Sequence, residues 1–315
     1  MRAIRNAAIL LVFLMAGGCA QDSVTLSPAP VASGSGTIEF ASAGGLMGQG
    51  TPAKISGVLT FPAGDGPYPV IVLAHGCNGE RNSERAWGPT LRSWGYATFI
   101  IDSFRPRGIE EVCTNARTMV PLQRVPDAYG ALRMLATHAS IDPRRIALMG
   151  FSHGGMLTML ASTAWAKETF VPAGQPAFRA FFPFYPNCNA EFPERNRVSA
   201  PVRIHTGELD DWTPAKPCAE LAAALKASGQ DVAINIYPGA HHAFDQARGY
   251  IHLPNVGNGS ACFPRLASIL GLIPGGAARG GFPACVKRGA TISGNPQATA
   301  DARGNLRAQF DELIK

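Results

Sequence analysis

The sequence has no block of like charges and no closely spaced cysteine pair. Its net charge of +6 is spread along the chain, without a run of Lys and Arg, so it does not predict a nucleic-acid partner. The C-x-x-C spacing of zinc sites is absent, and His241, His242 and Asp245 lack a recognised ligand spacing. We therefore expect neither a metal ion nor an organic cofactor.

The N-terminal apolar run, residues 9–15, is too short to span a membrane. Two arginines precede it, which is typical of an export signal. The sequence GGC ending at Cys19 resembles a lipoprotein cleavage site, after which Cys19 would carry the lipid; cleavage near Ala20 without a lipid is the alternative. We expect residues 1–19 to be a signal peptide and the mature protein to lie in the bacterial cell envelope, either periplasmic or lipid-anchored to a membrane.

The rest of the chain divides by composition. Residues 20–36 are rich in Ser, Pro, Ala and Gly, which predicts a flexible tether. Residues 37–315 contain no internal repeat and no second linker, so we expect one domain. Residues 246–294 carry many Gly and Pro residues and two cysteines, and are interpreted as a disulfide-pinned insertion.

Six cysteines remain after Cys19, and an even number in an exported chain predicts three disulfides. Six cysteines allow 15 connectivities. Neighbourhood in the sequence favours the pairs Cys77–Cys113, Cys188–Cys218 and Cys262–Cys285.

Runs rich in β-branched residues alternate with segments of helical period. This alternation predicts an α/β fold with a doubly wound, mainly parallel sheet flanked by helices. For one helix the ends are also marked, because Thr213 can cap it and Gly229 follows it. The predicted strands are 55–61, 70–74, 97–101, 146–151, 178–182, 202–206 and 232–237, and the predicted helices are 84–94, 125–138, 154–167, 215–228 and 297–314.

A Gly-x-Ser-x-Gly motif from Gly150 to Gly154 joins a predicted strand to a predicted helix. This is the context of a nucleophile elbow, which would hold Ser152 in a strained turn at the carboxyl end of the strand. The glycines are needed because side chains there would collide with the neighbouring strand and helix. Ser152 is therefore the predicted nucleophile.

A serine nucleophile needs a histidine base and a carboxylate that orients the base. In this fold the chain order is Ser, acid, His. The sequence GELDDW, with Asp210 and Asp211, follows one predicted strand, and His241 and His242 follow the next. Both groups lie at the sheet edge predicted for Ser152, but spacing alone does not choose within either pair.

The oxyanion hole is predicted from two backbone N–H groups. One belongs to Cys77, in the sequence HGCNG after an early strand, and the other to His153, which follows the nucleophile. A Cys77–Cys113 disulfide would stiffen the first of these loops.

Three further residues are candidates for binding substrate. Arg105 and Arg107 follow the strand that ends near Ile101 and can hold a substrate carboxylate; ion pairs with Asp102, Glu110 or Glu111 are the alternative. Trp212 follows the acid candidates and either lines the pocket or packs in the core.

The motifs together resemble the dienelactone hydrolase family of the α/β-hydrolase superfamily. The resemblance rests on VIVLAHGCNG, VPDAYGALRML, IDPRRIALMGFSHGG, GELDDWTPAKPC and YPGAHHAFD. Its G-x-x-D and H-x-F patterns identify Asp210 as the acid and His242 as the base. The type enzyme of the family has a Cys nucleophile, and a Glu where this chain has Gly76, so the resemblance implies an esterase-type relative without the special thiol activation.

We therefore expect a serine hydrolase that acts on a small-molecule ester or lactone. A peptidase of the same fold is one alternative. A non-catalytic envelope protein that binds a ligand on a hydrolase scaffold is the other. The oligomeric state is not predicted.

Overall fold

The computed structural model describes residues 35–80, 83–262 and 285–315. The predicted signal peptide, Cys19 and nearly all of the predicted tether lie outside the described residues. The first strand begins at Gly36, close to the predicted start of the folded body at Thr37.

The described strands form an eight-stranded sheet and a separate two-stranded sheet, with helices between them. The strands are β1 (Gly36–Ala41), β2 (Lys54–Thr60), β3 (Tyr68–Ala74), β4 (Ala97–Asp102), β5 (Ile141–Phe151), β6 (Phe181–Phe184), β7 (Val202–Gly207), β8 (Val232–Tyr237), β9 (Ile251–Asn258) and β10 (Lys287–Ile292). The described α-helices are α1 (Ser83–Ser93), α2 (Val125–Ala136), α3 (His153–Ala161), α4 (Ala164–Phe170), α5 (Ala215–Ala227) and α6 (Pro296–Leu313).

The large sheet has the order β1-β2-β4-β3-β5-β6-β7-β8. The first two strands pair antiparallel, and the six from β4 to β8 run parallel. Parallel strands end at a common edge, so the loops after β3, β5, β7 and β8 meet there. This confirms the predicted doubly wound α/β sheet.

The central strand β3 shows why its sequence is apolar throughout. Val70, Val72 and Ala74 belong to the core beneath α2 and α5, whereas Ile71 and Leu73 belong to the core beneath α1 and α6. Because helices cover both faces of the sheet, a central parallel strand has no solvent-facing side for polar residues.

Three features differ from the prediction. β1 was missed because it is an edge strand whose residues are largely exposed. The predicted helix 154–167 is two helices, α3 and α4, and the Thr163 side chain caps the second. The predicted strand 178–182 is found at Phe181–Phe184.

The expected cap of α5 also differs. Pro214 occupies the N-cap position and no side chain caps the helix. The Thr213 hydroxyl lies instead 2.9 Å from the backbone oxygen of Tyr185 and 2.9 Å from Oδ2 of Asp210. Gly229 has φ of +80° just past the helix end, as the sequence indicates.

The segment predicted as an irregular insertion contains regular structure. β9 and β10 pair antiparallel as a ribbon, which sequence periodicity did not indicate because the exposed and buried residues of β9 do not alternate. Cys262 and Cys285 form the predicted disulfide beyond the ribbon. Residues 263–284 of this segment lie outside the described residues.

The other two disulfides pair as predicted, Cys77 with Cys113 and Cys188 with Cys218. Among the helices that the structure describes, none combines the length and apolar character that crossing a membrane requires.

Candidate active site

Ser152 occupies the sharp turn between β5 and α3. Its backbone has φ of +53° and ψ of −111°, a conformation that non-glycine residues rarely adopt. A Cβ at Gly150 would lie 2.2 Å from the Gly154 carbonyl oxygen, and a Cβ at Gly154 would lie 2.1 Å from that of Ala74. The two glycines of the motif are therefore required by contact between strands and helix, as predicted.

The structure joins Ser152, His242 and Asp210 in one hydrogen-bonded chain. His242 Nε2 lies 2.9 Å from Ser152 Oγ, and His242 Nδ1 lies 2.8 Å from Asp210 Oδ2. The His242 and Asp210 side chains are almost completely buried. Because Asp210 accepts from Nδ1–H, Nε2 is left unprotonated and able to accept the serine proton.

Asp210 is held in place by donors on both of its oxygens. Oδ1 accepts from the backbone N–H groups of Trp212 at 2.9 Å and Thr213 at 2.7 Å. The Thr213 hydroxyl touches both partners, 2.9 Å from Oδ2 of Asp210 and 3.0 Å from Nδ1 of His242. The carboxylate therefore has a fixed orientation toward the histidine. This role of Thr213 was not predicted from the sequence.

The neighbours of the acid and base have other contacts. Asp211 Oδ1 accepts the backbone N–H of Thr291 at 2.8 Å, which ties the turn to β10. The ring of His241 lies 5.4 Å from that of Tyr250, edge to face. The geometry thus distinguishes Asp210 from Asp211 and His242 from His241, a choice that spacing alone left open.

The predicted oxyanion donors lie beside the nucleophile. His153 is the first residue of α3, where helix N–H groups have no intrahelical partner. A Cβ on Gly76 would lie 3.8 Å from Cβ of Ser152, so the loop that carries Cys77 passes directly over the turn. The loop is pinned by the Cys77–Cys113 disulfide and by a bond from the Val112 N–H to the Cys77 carbonyl at 2.8 Å.

Arg124, a buried arginine that was not predicted from the sequence, connects the loop that contains His75 and Cys77 to the start of helix α3. Arg124 is fully buried, and its Nη1 donates to the His75 carbonyl at 3.0 Å and to Nδ1 of His153 at 2.8 Å. Its guanidinium lies over the Phe104 ring at 4.9 Å, and burial lowers its pKa to about 10. Nothing in the local pattern marks this residue, because its burial arises from the packing of segments far apart in sequence.

Three buried histidines near the sheet edge are held neutral. Burial lowers the pKa of His75 well below its usual value, that of His153 to about 3 and that of His205 to about 4. Burial acts in the opposite direction on Asp245 and raises its pKa. Its carboxylate accepts from Trp87 Nε1 at 2.8 Å and from the Tyr185 hydroxyl at 2.8 Å.

These shifts predict that the protein loses stability in mild acid. Unfolded histidine takes up a proton near pH 6.5, whereas the folded histidines do not until about pH 4 or below, so unfolding binds protons in this window. The free energy of unfolding from urea titrations should fall from pH 7 to pH 4, by up to about 1.4 kcal/mol per pH unit for each histidine. His205→Gln should reduce the number of protons taken up on unfolding in this window by about one, and the slope with it. Asp245 opposes the trend between its raised folded pKa and its unfolded pKa near 3.8, because the folded protein is the more protonated state in that interval. A slope that is flat or opposite in sign would contradict the prediction.

Arg105 and Arg107 lie in ion pairs, which was the alternative to substrate binding, but of the predicted partners only Asp102 is found. Arg105 bonds to Asp102 and Glu80. Arg107 forms a two-pronged pair with buried Asp127, with both distances 2.8 Å. Neither arginine lines the two cavities that open at Ser152.

Those cavities have volumes of about 620 and 400 Å³. Trp212 lines both, with its ring centre 4.9 Å from that of His242 and its Nε1 donating to the Gly257 carbonyl at 2.9 Å. Trp212 is therefore held in place as a lining residue of the pocket, which was one of its two predicted roles. Within the described ranges, no group of three or more His, Cys, Asp and Glu side chains is placed to hold a metal ion.

Comparison with known proteins places the fold and the family. The crystal structure of a Klebsiella pneumoniae protein, provisionally named a dienelactone hydrolase, superposes with a TM-score of 0.58 at 18% identity and covers 88% of this chain and 99% of its own. This likeness identifies the α/β-hydrolase fold.

Two curated relatives share sequence with this chain. A Bradyrhizobium protein, provisionally named 2-oxo-3-(5-oxofuran-2-ylidene)propanoate lactonase, is 24% identical over 60% of this chain and 78% of its own length. The acylamino-acid-releasing enzyme of Rattus norvegicus is 26% identical over 56% of this chain, but that match spans only 29% of the rat enzyme.

The sequence model of the dienelactone hydrolase family matches residues 55–254, which are 200 of the 315 residues. The matched region includes the nucleophile turn, Asp210 and His242. This chain is a hydrolase that belongs to the dienelactone hydrolase family.

Proposed function

We propose that this protein is a serine hydrolase that cleaves carboxyl esters or lactones through an acyl-enzyme. The observation that carries the proposal is the chain from Ser152 Oγ to His242 Nε2 at 2.9 Å and from His242 Nδ1 to Asp210 Oδ2 at 2.8 Å. A serine at an ordinary surface turn has neither a buried base nor a strained backbone. The Bradyrhizobium relative is named for a lactone, which supports including cyclic esters.

The reaction follows from the positions of these groups. His242 Nε2 takes the proton of Ser152, and Oγ attacks the carbonyl carbon while Asp210 stabilises the imidazolium. The N–H groups of Cys77 and His153 bind the oxyanion. His242 then protonates the leaving oxygen, the C–O bond breaks, and an acyl-serine remains. Water, deprotonated by His242, attacks the acyl-serine; the acyl–Oγ bond then breaks, His242 returns the proton to Ser152 Oγ, and the acid is released.

A fluorophosphonate probe tests the nucleophile. We expect the purified full-length protein to gain one covalent adduct by intact mass, because an activated serine attacks the phosphorus. Ser152→Ala should show no adduct. Ser228→Ala, an exposed serine after α5, is the matched control and should label like the unmodified protein. Labelling of Ser152→Ala equal to the wild type would refute the assignment of the nucleophile.

A peptidase activity has one observation in its favour, the partial match to the rat acylamino-acid-releasing enzyme. The two activities separate in kcat/KM for an N-acetylalanine anilide and for a p-nitrophenyl ester. An esterase turns over the ester much faster, whereas a rate for the amide equal to or above that for the ester would favour the peptidase.

We also propose that the protein is exported to the cell envelope and that Cys19 carries a lipid; cleavage without a lipid is the alternative. The N-terminal charge and apolar pattern supports it. Three disulfides also support it, because such bonds persist mainly in oxidising compartments. Mass analysis of the mature protein from membrane and periplasmic fractions tests whether Cys19 carries a lipid.

A further inference from the structure

Ser152 lies where two cavities meet. The larger one, here called the apolar cavity, is lined by Val120, Leu122, Met156, Leu160 and Phe192 and also by polar side chains, among them Asn115 and Asn187. The smaller one, here called the His242 cavity, contains the polar groups of Ser83, Glu84, Tyr185 and Gln246 besides His242 itself. An ester has two halves, so two cavities at the nucleophile raise the question of which half each one holds.

The position of the general acid answers this question. The alcohol oxygen must lie within reach of His242 Nε2 to take up its proton as the C–O bond breaks. His242 lines the smaller cavity and not the larger one. The leaving alcohol therefore departs through the His242 cavity, and the acyl half, bonded to Ser152 Oγ, extends into the apolar cavity.

Helix α3 sets the length of the apolar cavity. Met156 and Leu160 are four residues apart on α3 and share one face of the helix, and Ser152 immediately precedes the helix. Eight residues at 1.5 Å each place Leu160 about 12 Å along the helix axis from Ser152. An extended alkyl chain advances about 1.3 Å per carbon because its C–C bonds of about 1.5 Å zigzag, and the acyl chain begins beyond Ser152 Oγ, so on the order of eight carbons reach Leu160.

The lining also discriminates by charge. Among the residues that the structure describes, the charged side chains that line the apolar cavity are Arg117 and Arg288, and both are exposed. Arg288 Nη1 donates to the carbonyls of Thr114 at 3.0 Å and Asn255 at 2.6 Å. A carboxylate on the acyl chain would enter a space of methionine, leucine and phenylalanine side chains and lose its hydration, which is costly.

We infer that the preferred substrates are esters of neutral, apolar carboxylic acids of about eight carbons, and that Leu160 limits the chain length. The inference rests on the proposed function, because it assumes that the acyl group is carried by Ser152. It goes beyond that function in naming the acid half of the substrate and the residue that selects it.

The experiment uses p-nitrophenyl esters of C2, C4, C8 and C12 acids, in which the leaving group stays constant. We expect kcat/KM of the full-length protein to be highest near C8. The half-ester of the C8 dicarboxylic acid, matched in length but ending in a carboxylate, should react at least tenfold more slowly than the C8 ester.

Leu160→Trp should fill the far end of the apolar cavity and lower the C8 to C2 ratio of kcat/KM at least tenfold. Phe192→Ala should widen the cavity and move the optimum toward C12, a change that general destabilisation would not produce. Leu221→Trp is the matched control, since this leucine of α5 lines a separate cavity, and its C8 to C2 ratio should equal that of the wild type.

The outcomes separate the two claims. The acyl assignment alone would be overturned by ester turnover that still requires Ser152 but departs from the expected profile. The departures are an optimum at C2, a preference for the charged half-ester, or a chain-length profile that is unchanged in Leu160→Trp. Failure of every ester to react, together with no labelling by the fluorophosphonate probe, would overturn the proposed function and this inference with it.

Discussion

Replacing His242 with Ala is expected to lower kcat for ester hydrolysis by roughly 10³- to 10⁴-fold, whereas His241→Ala should retain most of the activity. The loss in the first variant follows from removing the base, which both activates Ser152 and protonates the leaving group. The second variant removes a ring that lies against Tyr250 and contacts neither Ser152 nor Asp210.

The two adjacent histidines make a closely matched pair, because each variant removes the same ring from the same loop. Steady-state kinetics with one p-nitrophenyl ester, together with thermal unfolding of both variants, provides the measurement. A greater loss of kcat in His241→Ala than in His242→Ala, with both proteins folded, would show that the base is misassigned.

Asp210→Asn should lower kcat by about 10⁴-fold without unfolding the protein. The side chain of an asparagine at this position must place its oxygen where Oδ1 now accepts the N–H groups of Trp212 and Thr213. Its NH₂ group would then point at Nδ1 of His242 and force that nitrogen to be an acceptor. The proton would move to Nε2, which could no longer accept the proton of Ser152.

Asp211→Asn is the control for this variant. Its carboxylate accepts one backbone N–H, that of Thr291, and an amide oxygen can do the same. We expect kcat of Asp211→Asn within about threefold of the wild type, because a surface hydrogen bond replaced in kind changes little. The acid would be reassigned if Asp210→Asn kept kcat within tenfold of the wild type or if Asp211→Asn lost more.

The parts of the fold that were predicted from sequence are those in which local pattern and burial agree. β3, β4 and β7 were predicted within two residues of their observed ends, because central parallel strands are buried on both faces. β1, β9 and β10 were not predicted. β1 is an edge strand with largely exposed residues, and β9 and β10 form a ribbon outside the large sheet whose exposed and buried residues do not alternate, so the period-two signal is weak.

The residues of the site also differ in whether they could be predicted from the sequence. The nucleophile turn could be recognised locally, since Gly150 and Gly154 are demanded by contacts within one strand, turn and helix. Thr213 and Arg124 could not. In the sequence, Thr213 resembles an ordinary helix cap, but its hydroxyl bonds to Asp210. Arg124 has no distinguishing sequence pattern, because it is buried by segments that are far apart in the chain.

By itself, the sequence determined the strand-turn-helix context of Ser152 and the chain order of the predicted nucleophile, acid and base, and it favoured the cysteine pairing that is found, because each depends on residues close together or on a recognisable motif. Only the tertiary structure decided which atoms meet. The separation of 2.9 Å between Ser152 and His242 joins residues 90 positions apart, and the two cavities arise from loops of several strands. Distances across a sheet edge depend on how whole elements pack, and no local pattern encodes them.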